Sequence, residues 1–398
     1  ITPSLYQMEE ICREMSSRQM TVPLFIGGAT TSAVHTAVKL APLYGHVFHG
    51  ADASAAAVMA KKCMMDRKTF EEEQTAEQQK LRDLYYSRDD DKEESEPDAA
   101  LSGSIIAHET RIPSPADIPA RELTAEEVMP YFDWKMFYAI WGVKYGSSSM
   151  EAMELVQLRR DAEEEIALGN FKIMLTAKFY NAYKENNNIV IVKDNSGTEM
   201  DVCLPMLRQE KGEMRSLCDF VIDKESGKTS AFGCFAICVK AADAHEEGCC
   251  CPACSNKYED LIGKAVRMTL AEAASKWLDR KLKSETDERF SIIKPAAGYS
   301  SCPDHTLKRD IFELLGINKE EKESCGHHHA NSDQGMNIKL TESYAMIPEA
   351  SICGTIFIHP EAKYHEIRAI SQAQHDIYAE KRGMDAQTAR RFLGHLLK

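Results

Sequence analysis

The chain has 398 residues, of which 43% are hydrophobic, so it is long enough for two or three domains with sizeable cores. Its net charge of −14 argues against nonspecific binding to nucleic acid. No apolar run approaches the roughly 20 residues of a membrane-spanning helix, and no signal peptide is visible, so we expect a cytoplasmic protein without a membrane partner. Because the sequence begins at Ile1 and not at Met, we also expect a fragment of a longer protein.

Residues 1–66 have the order of elements found in a doubly wound α/β unit. A helix-like stretch precedes the short apolar strand Val22–Ile26, and a glycine turn and a second helix follow it. Ligands of such sheets bind at the carboxyl ends of the strands. The turn, Gly27-Gly28-Ala29-Thr30-Thr31-Ser32, offers bare backbone and hydroxyl groups. It is not a Walker loop, and it lacks the third glycine of the dinucleotide fingerprint.

Residues 67–120 have the composition of a linker. The segment 68–86 is polar and helix-prone, and residues 88–100 are dense in charge. Three prolines follow within a few residues, at Pro113, Pro115 and Pro119. This composition places the main domain boundary near residues 100–120.

Residues 121–398 predict a second, larger domain. Its first helix begins at Thr124, which forms a capping-box pattern with Glu127. The most aromatic stretch of the chain follows, with Asp133 inside it. We then expect two helices, over residues 147–167 and 169–183. Short strands joined by tight turns predict an antiparallel meander, with strands at 189–192, 199–204, 219–222 and 231–239.

A long helix is predicted within residues 241–283. Glu272 lies with Lys276 and Asp279 on its polar side, where the simplest interpretation is an ion pair between Glu272 and Lys276, four residues apart. Further strands are expected at 343–347 and 351–358. Two carboxyl-terminal helices are separated at Gly383, a helix-stop signal, and the second helix is capped by Asp385.

The stretch from Lys294 to His305 reads Lys-Pro-Ala-Ala-Gly-Tyr-Ser-Ser-Cys-Pro-Asp-His. Its prolines, glycine and small residues predict an ordered loop whose backbone a ligand can approach closely. Lys294 offers a cation for a carboxylate, and Tyr299 offers an aromatic ring. The alternative is a plain connection between a helix and a sheet.

The chain has thirteen cysteines. Those in apolar segments are predicted to be reduced, buried thiols. Cys249–Cys254 includes a Cys-x-x-Cys pair, and a histidine triplet, His327–His329, follows Cys325. Either group can hold a metal, but the second Cys-x-x-Cys pair of a zinc site is missing. A Cys/His metal-binding module therefore stays an alternative function.

Several of these segments together resemble the cobalamin-dependent methionine synthase family, in the family's order and over nearly the whole chain. The matching segments are residues 22–40, 132–134, 270–273, 295–305 and 340–346. The resemblance implies an α/β remnant of a doubly wound cobalamin-binding domain at residues 1–66, a linker at 67–120, and an activation domain that binds S-adenosylmethionine (AdoMet) at 121–398. The larger domain is expected to hold a twisted antiparallel sheet flanked by helices.

The family moves a methyl group from methyltetrahydrofolate to homocysteine through cobalamin. When the cobalamin is oxidised to cob(II)alamin, AdoMet supplies a methyl group and a flavodoxin-like or diflavin reductase supplies one electron. The implied cofactors are AdoMet and, in the full-length enzyme, cobalamin; zinc belongs to an absent homocysteine module. The implied partners are the reductase and the enzyme's own upstream domains. The family's cobalt-ligating Asp-x-His-x-x-Gly motif does not occur in this sequence.

The family's AdoMet motif, Arg-x-x-x-Gly-Tyr, corresponds to Lys294, Gly298 and Tyr299. A lysine in place of the arginine can still pair with the AdoMet carboxylate, but as a point charge and not as a bidentate fork. The full implied AdoMet site is Asp133, Glu272, Glu288, Lys294, Pro295, Gly298, Tyr299 and Tyr364. His305 is implied to contact the cobalamin domain, and the implied cobalamin-binding residues are Gly27, Gly28, Thr30, Thr31 and Ser32. An AdoMet-binding or reductase-docking module without turnover is the remaining alternative.

Overall fold

The structure is a computed structural model, and it describes residues 2–27, 31–50, 53–87, 114–141, 149–192, 202–242, 257–317 and 336–397. The α-helices in these ranges are α1 (Thr2–Ser17), α2 (Ala33–His35), α3 (Ala53–Met65), α4 (Arg67–Ser87), α5 (Ala125–Val128), α6 (Trp134–Ile140), α7 (Ser149–Leu168), α8 (Lys257–Glu285), α9 (Leu307–Leu315), α10 (Gln372–Arg382) and α11 (Ala386–Leu393). The strands are β1 (Leu24–Ile26), β2 (Val47–His49), β3 (Ile118–Leu123), β4 (Phe171–Glu185), β5 (Asn188–Val192), β6 (Val202–Pro205), β7 (Ser230–Ala241), β8 (Ser291–Ile293), β9 (Lys339–Leu340), β10 (Met346–Ile347) and β11 (Ser351–His359). None of the helices described is long and apolar enough to cross a membrane.

The chain divides into two compact units, Ile1–Ser102 with Gly383–Lys398, and Gly103–Arg382. In the first unit β1 and β2 pair in parallel, with Leu24 opposite Val47. Helix α4 packs on this pair, because the ring of Phe70 meets that of Phe48 at 5.0 Å and Gln78 Nε2 donates to Val47 O at 2.8 Å. The segment predicted to be a linker therefore begins with a packed helix.

The second unit contains a seven-stranded sheet within the described residues. Its strand order is β6-β5-β4-β7-β11-β8, and β3 also pairs with β4. All of these pairs are antiparallel, so the predicted antiparallel sheet flanked by helices is confirmed. The capping box of Thr124 and Glu127 is present at the start of α5, as predicted.

Two predicted elements of this unit were wrong. The helix expected at 169–183 is strand β4, whose residues are held by main-chain pairing with β3 and β7 on its two sides. The strand expected at 219–222 begins instead inside a 3₁₀ turn, Leu217–Phe220. Asp219 is bound there by the amide of Ser216 and by the guanidinium of Arg208, which fixes a tight turn and not an extended strand.

The sheet is buried on both faces. Successive residues of β7 alternate between two apolar cores, since Phe232 and Cys234 face one and Phe235 and Ile237 face the other. Helix α9 covers the first face, and α7 and α8 cover the second. Strand β8 is the last strand in the sheet order and pairs with β11. The loop that follows β8 therefore starts beside β11 and close to α8.

Candidate functional site

The loop at residues 294–305 begins directly after β8 and lies across β11. Thr355 N donates to Pro295 O at 3.0 Å, and Ala296 forms an isolated bridge with Gly354. A Cβ at Gly354 would lie 2.4 Å from Pro295 O. Glycine at this position of the strand is therefore what lets the loop pass so close to the sheet.

The middle of the loop turns at Gly298. Its φ of +98° is one that L side chains rarely adopt, and its N–H donates to Cys302 O at 2.7 Å. A Cβ here would fall 2.3 to 2.6 Å from three atoms of the His305 ring. The imidazole of His305, only 9% exposed, thus packs directly against the turn. Lys308 Nζ lies 3.1 Å from His305 Nδ1. Tyr299, next to the turn, is 65% exposed.

The far end of the loop is held by Asp304, whose side chain is buried. Its carboxylate accepts hydrogen bonds from Thr306 N at 2.8 Å and from Tyr378 OH at 2.9 Å, and Arg382 Nε lies 3.4 Å away. In the middle of the segment, Ile367 N donates to Ser300 O at 2.8 Å. The loop is therefore fixed along its length by β11, by the segment that precedes α10, and by α10 itself.

Lys294, at the start of the loop, is buried and points toward α8. Its Nζ donates to Ser275 O at 2.5 Å and to Ser275 Oγ at 2.8 Å, and it pairs with Asp279 Oδ1 at 3.1 Å. The ammonium also lies 5.2 Å from the centre of the Phe235 ring. Burial lowers the pKa of Lys294, and the charge of Asp279 opposes that shift.

Asp133 caps the amino end of α6, where Oδ1 accepts from the amides of Lys135 and Met136 at 3.1 and 3.3 Å. Its Oδ2 accepts from Lys276 Nζ on α8 at 2.9 Å. The hydrogen bond from Lys276, together with those amides, lowers the pKa of the Asp133 carboxyl. The pairing of Lys276 with Glu272 that the spacing favoured is thus replaced by a pair that spans two helices.

Glu272 lies on the same face of α8, one turn before Lys276. It is half-buried, and burial raises the pKa of its carboxyl, although Lys294 and Lys276 act to lower it. Within the described part of the chain its carboxylate has no hydrogen-bond partner. Asp133, Glu272 and Asp279 therefore lie with Lys276 and Lys294 in one charged cluster, and the charge of Lys283 also acts on Lys294.

The two remaining predicted AdoMet residues are placed differently. Tyr364 joins the cluster, because its hydroxyl accepts from Lys294 N at 2.9 Å while the residue stays 59% exposed. Glu288 lies exposed in the turn between α8 and β8. Among the described residues no hydrogen bond or ion pair links Glu288 to the others.

Of the predicted cobalamin-binding residues, Gly27, Thr31 and Ser32 follow the carboxyl end of β1, and Gly28 and Thr30 fall outside the described residues. Gly50, just after β2, donates its N–H to Ile26 O at 2.9 Å, and a Cβ at Gly27 would lie 2.6 Å from Gly50 O. Ser32 caps α2 by accepting from His35 N at 3.1 Å. Thr31 lies between these positions. Two strand ends thus meet where a doubly wound sheet binds ligands.

The cysteine cluster Cys249–Cys254 and the triplet His327–His329 both lie outside the described residues. Within the ranges that are described, no group of three or more His, Cys, Asp or Glu side chains is arranged to hold a metal ion.

Sequence reasoning missed two contributors to the site, Ser275 and Gly354, and it placed Asp279 on the polar side of α8 without giving it a role. A signal existed for each of them. Ser275 and Asp279 lie three and seven residues after Glu272, which places all three on one helix face. A glycine inside an otherwise apolar strand pattern often marks a close approach of another backbone. No sequence pattern predicted the interaction partner of each side chain.

Comparison with known proteins adds two findings. The family model for the activation domain of vitamin B12 dependent methionine synthase matches residues 124–383. Among solved structures, the chain is similar to one described as the crystal structure of the MetH reactivation domain bound to AdoHcy. That similarity has 26% sequence identity and a TM-score of 0.61, and it covers 76% of this chain and 98% of the other. The chain belongs to the family of vitamin B12 dependent methionine synthase activation domains.

Proposed function

We propose that this chain binds AdoMet at the loop 294–305 and donates the AdoMet methyl group in the reductive reactivation of cobalamin. The observation that carries the proposal is the meeting of Asp133 and Glu272 beside Lys294 and the small-residue loop. The similar reactivation domain whose structure is described as bound to AdoHcy supports the same ligand class.

The charges of the site suit this ligand. AdoMet carries an ammonium group, a sulfonium group and one carboxylate, so its net charge is one positive, and the carboxylates of the cluster can attract its two cationic groups. Glu272 offers a carboxylate that has no hydrogen-bond partner among the described residues. Asp133 already accepts a hydrogen bond from the ammonium group of Lys276. The ammonium group of a ligand can be bound by the same carboxylate in the same way. Tyr299 and Tyr364 are both more than half exposed, so their rings are accessible to a ligand.

The proposed reaction uses one electron and one methyl group. The residues of this chain would bind and orient AdoMet while its carbon–sulfur bond to the methyl group breaks and S-adenosylhomocysteine leaves. When bound, cobalamin, reduced by the one added electron, supplies the metal that accepts the methyl group. The residues of this chain that would hold its nucleotide tail are Gly27, Gly28, Thr30, Thr31 and Ser32, and the joined ends of β1 and β2 support this assignment.

A second protein is proposed as the source of the electron, as in the family that the sequence resembles. We propose a flavodoxin-like or diflavin reductase as this partner, and the upstream domains of the same enzyme as the partners that bring cobalamin to the site. The activity of the full methionine synthase, methyl transfer to homocysteine, belongs to that larger assembly.

Calorimetric titration of the purified chain with AdoMet tests the site. Tyr299→Ala is expected to weaken AdoMet binding by about tenfold, because one aromatic face beside the loop is lost. Tyr85→Ala removes a partly exposed tyrosine of the first unit and serves as the control, with unchanged affinity expected. Equal affinities of the wild-type chain and Tyr299→Ala would contradict the assignment of the site.

Methyl transfer separates turnover from binding alone. Methyl-labelled AdoMet, added cob(II)alamin and a one-electron donor should give labelled methylcobalamin in the presence of the chain. Binding of AdoMet without any transfer would favour the alternative, a binding or reductase-docking module without turnover.

A further inference from the structure

Lys294 has used its hydrogen-bonding capacity inside the protein. An ammonium group has three N–H donors. Three acceptors surround this one: Ser275 O at 2.5 Å, Ser275 Oγ at 2.8 Å and Asp279 Oδ1 at 3.1 Å. All three acceptors belong to α8, so none of the donors points toward the exposed side of the loop.

The side chain of Lys294 is also almost completely enclosed by the protein. The side chain of Lys294 is 6% exposed, and the ring of Phe235 closes its other side. To reach a ligand carboxylate, the ammonium would have to leave Asp279 and two oxygens of Ser275 and break a charge-assisted contact in a partly desolvated place. A lysine in this position is already paired before any ligand arrives.

The main chain of Lys294 adds a third connection, because its N–H donates to Tyr364 OH at 2.9 Å. One residue thus joins α8, the start of the loop and the segment that carries Tyr364. Glu272 lies one turn before Ser275 on α8, so the same contacts fix its distance from the loop.

We propose that Lys294 is a positioning residue that fastens the loop to α8 and does not bind the carboxylate of AdoMet. This inference rests on the proposed AdoMet site and changes the role of one of its members. The carboxylate of the ligand is then bound by other donors, and the affinity contributed by Lys294 does not depend on whether the ligand has a carboxylate.

The test compares two ligands on the full 398-residue chain: AdoMet and decarboxylated AdoMet, which keeps the adenosine, the sulfonium and the ammonium. Lys294→Met should weaken both ligands by the same factor, about tenfold, since one charged anchor of the loop is lost. Weakening of AdoMet with unchanged binding of the decarboxylated analogue would overturn the proposal, as would unchanged binding of both. If the wild-type chain binds neither ligand, the proposed function fails and not this inference.

Asp279→Asn gives a second test, because a positioning lysine and a carboxylate-binding lysine predict opposite results for it. This variant distinguishes the two roles of Lys294 even if Lys294→Met does not fold. Without its partner the lysine is less firmly held, so a carboxylate-binding lysine would bind AdoMet as well as before or better. A positioning lysine predicts that both ligands bind more weakly, by about three- to tenfold. Asp279→Glu keeps a carboxylate and should restore binding of both ligands to near the wild-type level, which a general loss of stability would not allow.

Lys264→Met is the matched control, because Lys264 forms an exposed ion pair with Asp260 on the same helix at 3.2 Å. It should leave both affinities unchanged. Weakening of both ligands by this control to the same extent as by Lys294→Met would also overturn the proposal, since loss of any cation paired with an acid of α8 would then suffice.

Discussion

The larger unit contains two clusters of acidic and basic side chains, and they differ in how many of their charged groups have hydrogen-bond partners. Arg208 and Asp219 are 2% and 3% exposed and form two hydrogen bonds at 2.7 and 2.6 Å. Further bonds from Arg208 to Asn187 and Met214 leave this pair fully occupied. The cluster around Glu272 is open by comparison.

In that open cluster Lys276 and Asp133 are both more than a third exposed and share a single contact at 2.9 Å. Glu272 keeps a carboxylate without a hydrogen-bond partner among the described residues. The comparison teaches that the charge pair which holds the fold is closed on every side, whereas the pair in the proposed site keeps a contact that can be exchanged. Four predictions follow this difference from the largest expected effect to the smallest.

Arg208→Met breaks the closed pair. It should lower the free energy of unfolding by about 3–5 kcal/mol, because buried Asp219 then keeps only the more distant ammonium of Lys184, at 3.8 Å, as a counter-charge. Urea unfolding measures the loss. Arg160→Met, which removes an exposed partner of Glu164, is the control and should change stability very little. A small effect of Arg208→Met would mean that the closed pair is no more structural than a surface pair.

Gly298→Ala should lower the free energy of unfolding by about 2–3 kcal/mol and abolish measurable AdoMet binding, because the new Cβ meets the His305 ring at a strained φ. Gly316→Ala is the control for the strain alone, since Gly316 also has a positive φ, +74°, but has open space around it. Its cost should be about 1 kcal/mol. Equal losses in the two variants would show that contact with His305 does not matter.

Glu272→Gln removes the open carboxylate and should weaken AdoMet binding by about tenfold at pH 7. It should also change the pH dependence. Because burial raises the pKa of Glu272, the wild-type affinity should fall on acidification at a higher pH than an exposed glutamate would require. Asp133, whose pKa is lowered, stays ionised over that range. Calorimetry between pH 5 and 8 should show a loss of AdoMet affinity on acidification in the wild-type chain and not in Glu272→Gln. If the variant also loses affinity on acidification, a group other than Glu272 is responsible.

Lys276→Met should have the smallest effect, and in the opposite direction. Removing the ammonium that occupies Asp133 frees its carboxylate for the ligand, so AdoMet should bind about two- to fivefold more tightly. The free energy of unfolding should change by less than about 0.5 kcal/mol, since the pair is exposed. Weaker binding by this variant would show that Lys276 contributes to the ligand site and does not compete with the ligand.

Local signals predicted much of the fold. The capping box at Thr124, the stop at Gly383 and the cap at Asp385 each depend on neighbours within a few residues, and all three occur. Strand β4 was missed because its sequence is compatible with a helix, and pairing with strands far along the chain decides its conformation. Local pattern is informative where the partner is near in sequence.

The candidate site shows the same limit. Its residues could be found from the family resemblance and from the spacing along α8, but their partners could not. Asp133 pairs with Lys276, 143 residues away, whereas the spacing favoured Glu272. The inward direction of Lys294 is likewise set by Ser275 and Asp279, which approach it only in the folded sheet–helix layer.

The anchoring of the loop through its main chain has a consequence for protein engineering. Pro295 and Ser300 are held through their carbonyl oxygens, by Thr355 and Ile367, so these contacts do not depend on the side chain of Ser300 or of the neighbouring Ala296. Both of those side chains are partly or fully exposed. Libraries restricted to these two positions would vary the shape and polarity of the loop surface while the backbone beneath it stays in register, which makes them the starting points for accepting sulfonium compounds with altered alkyl groups.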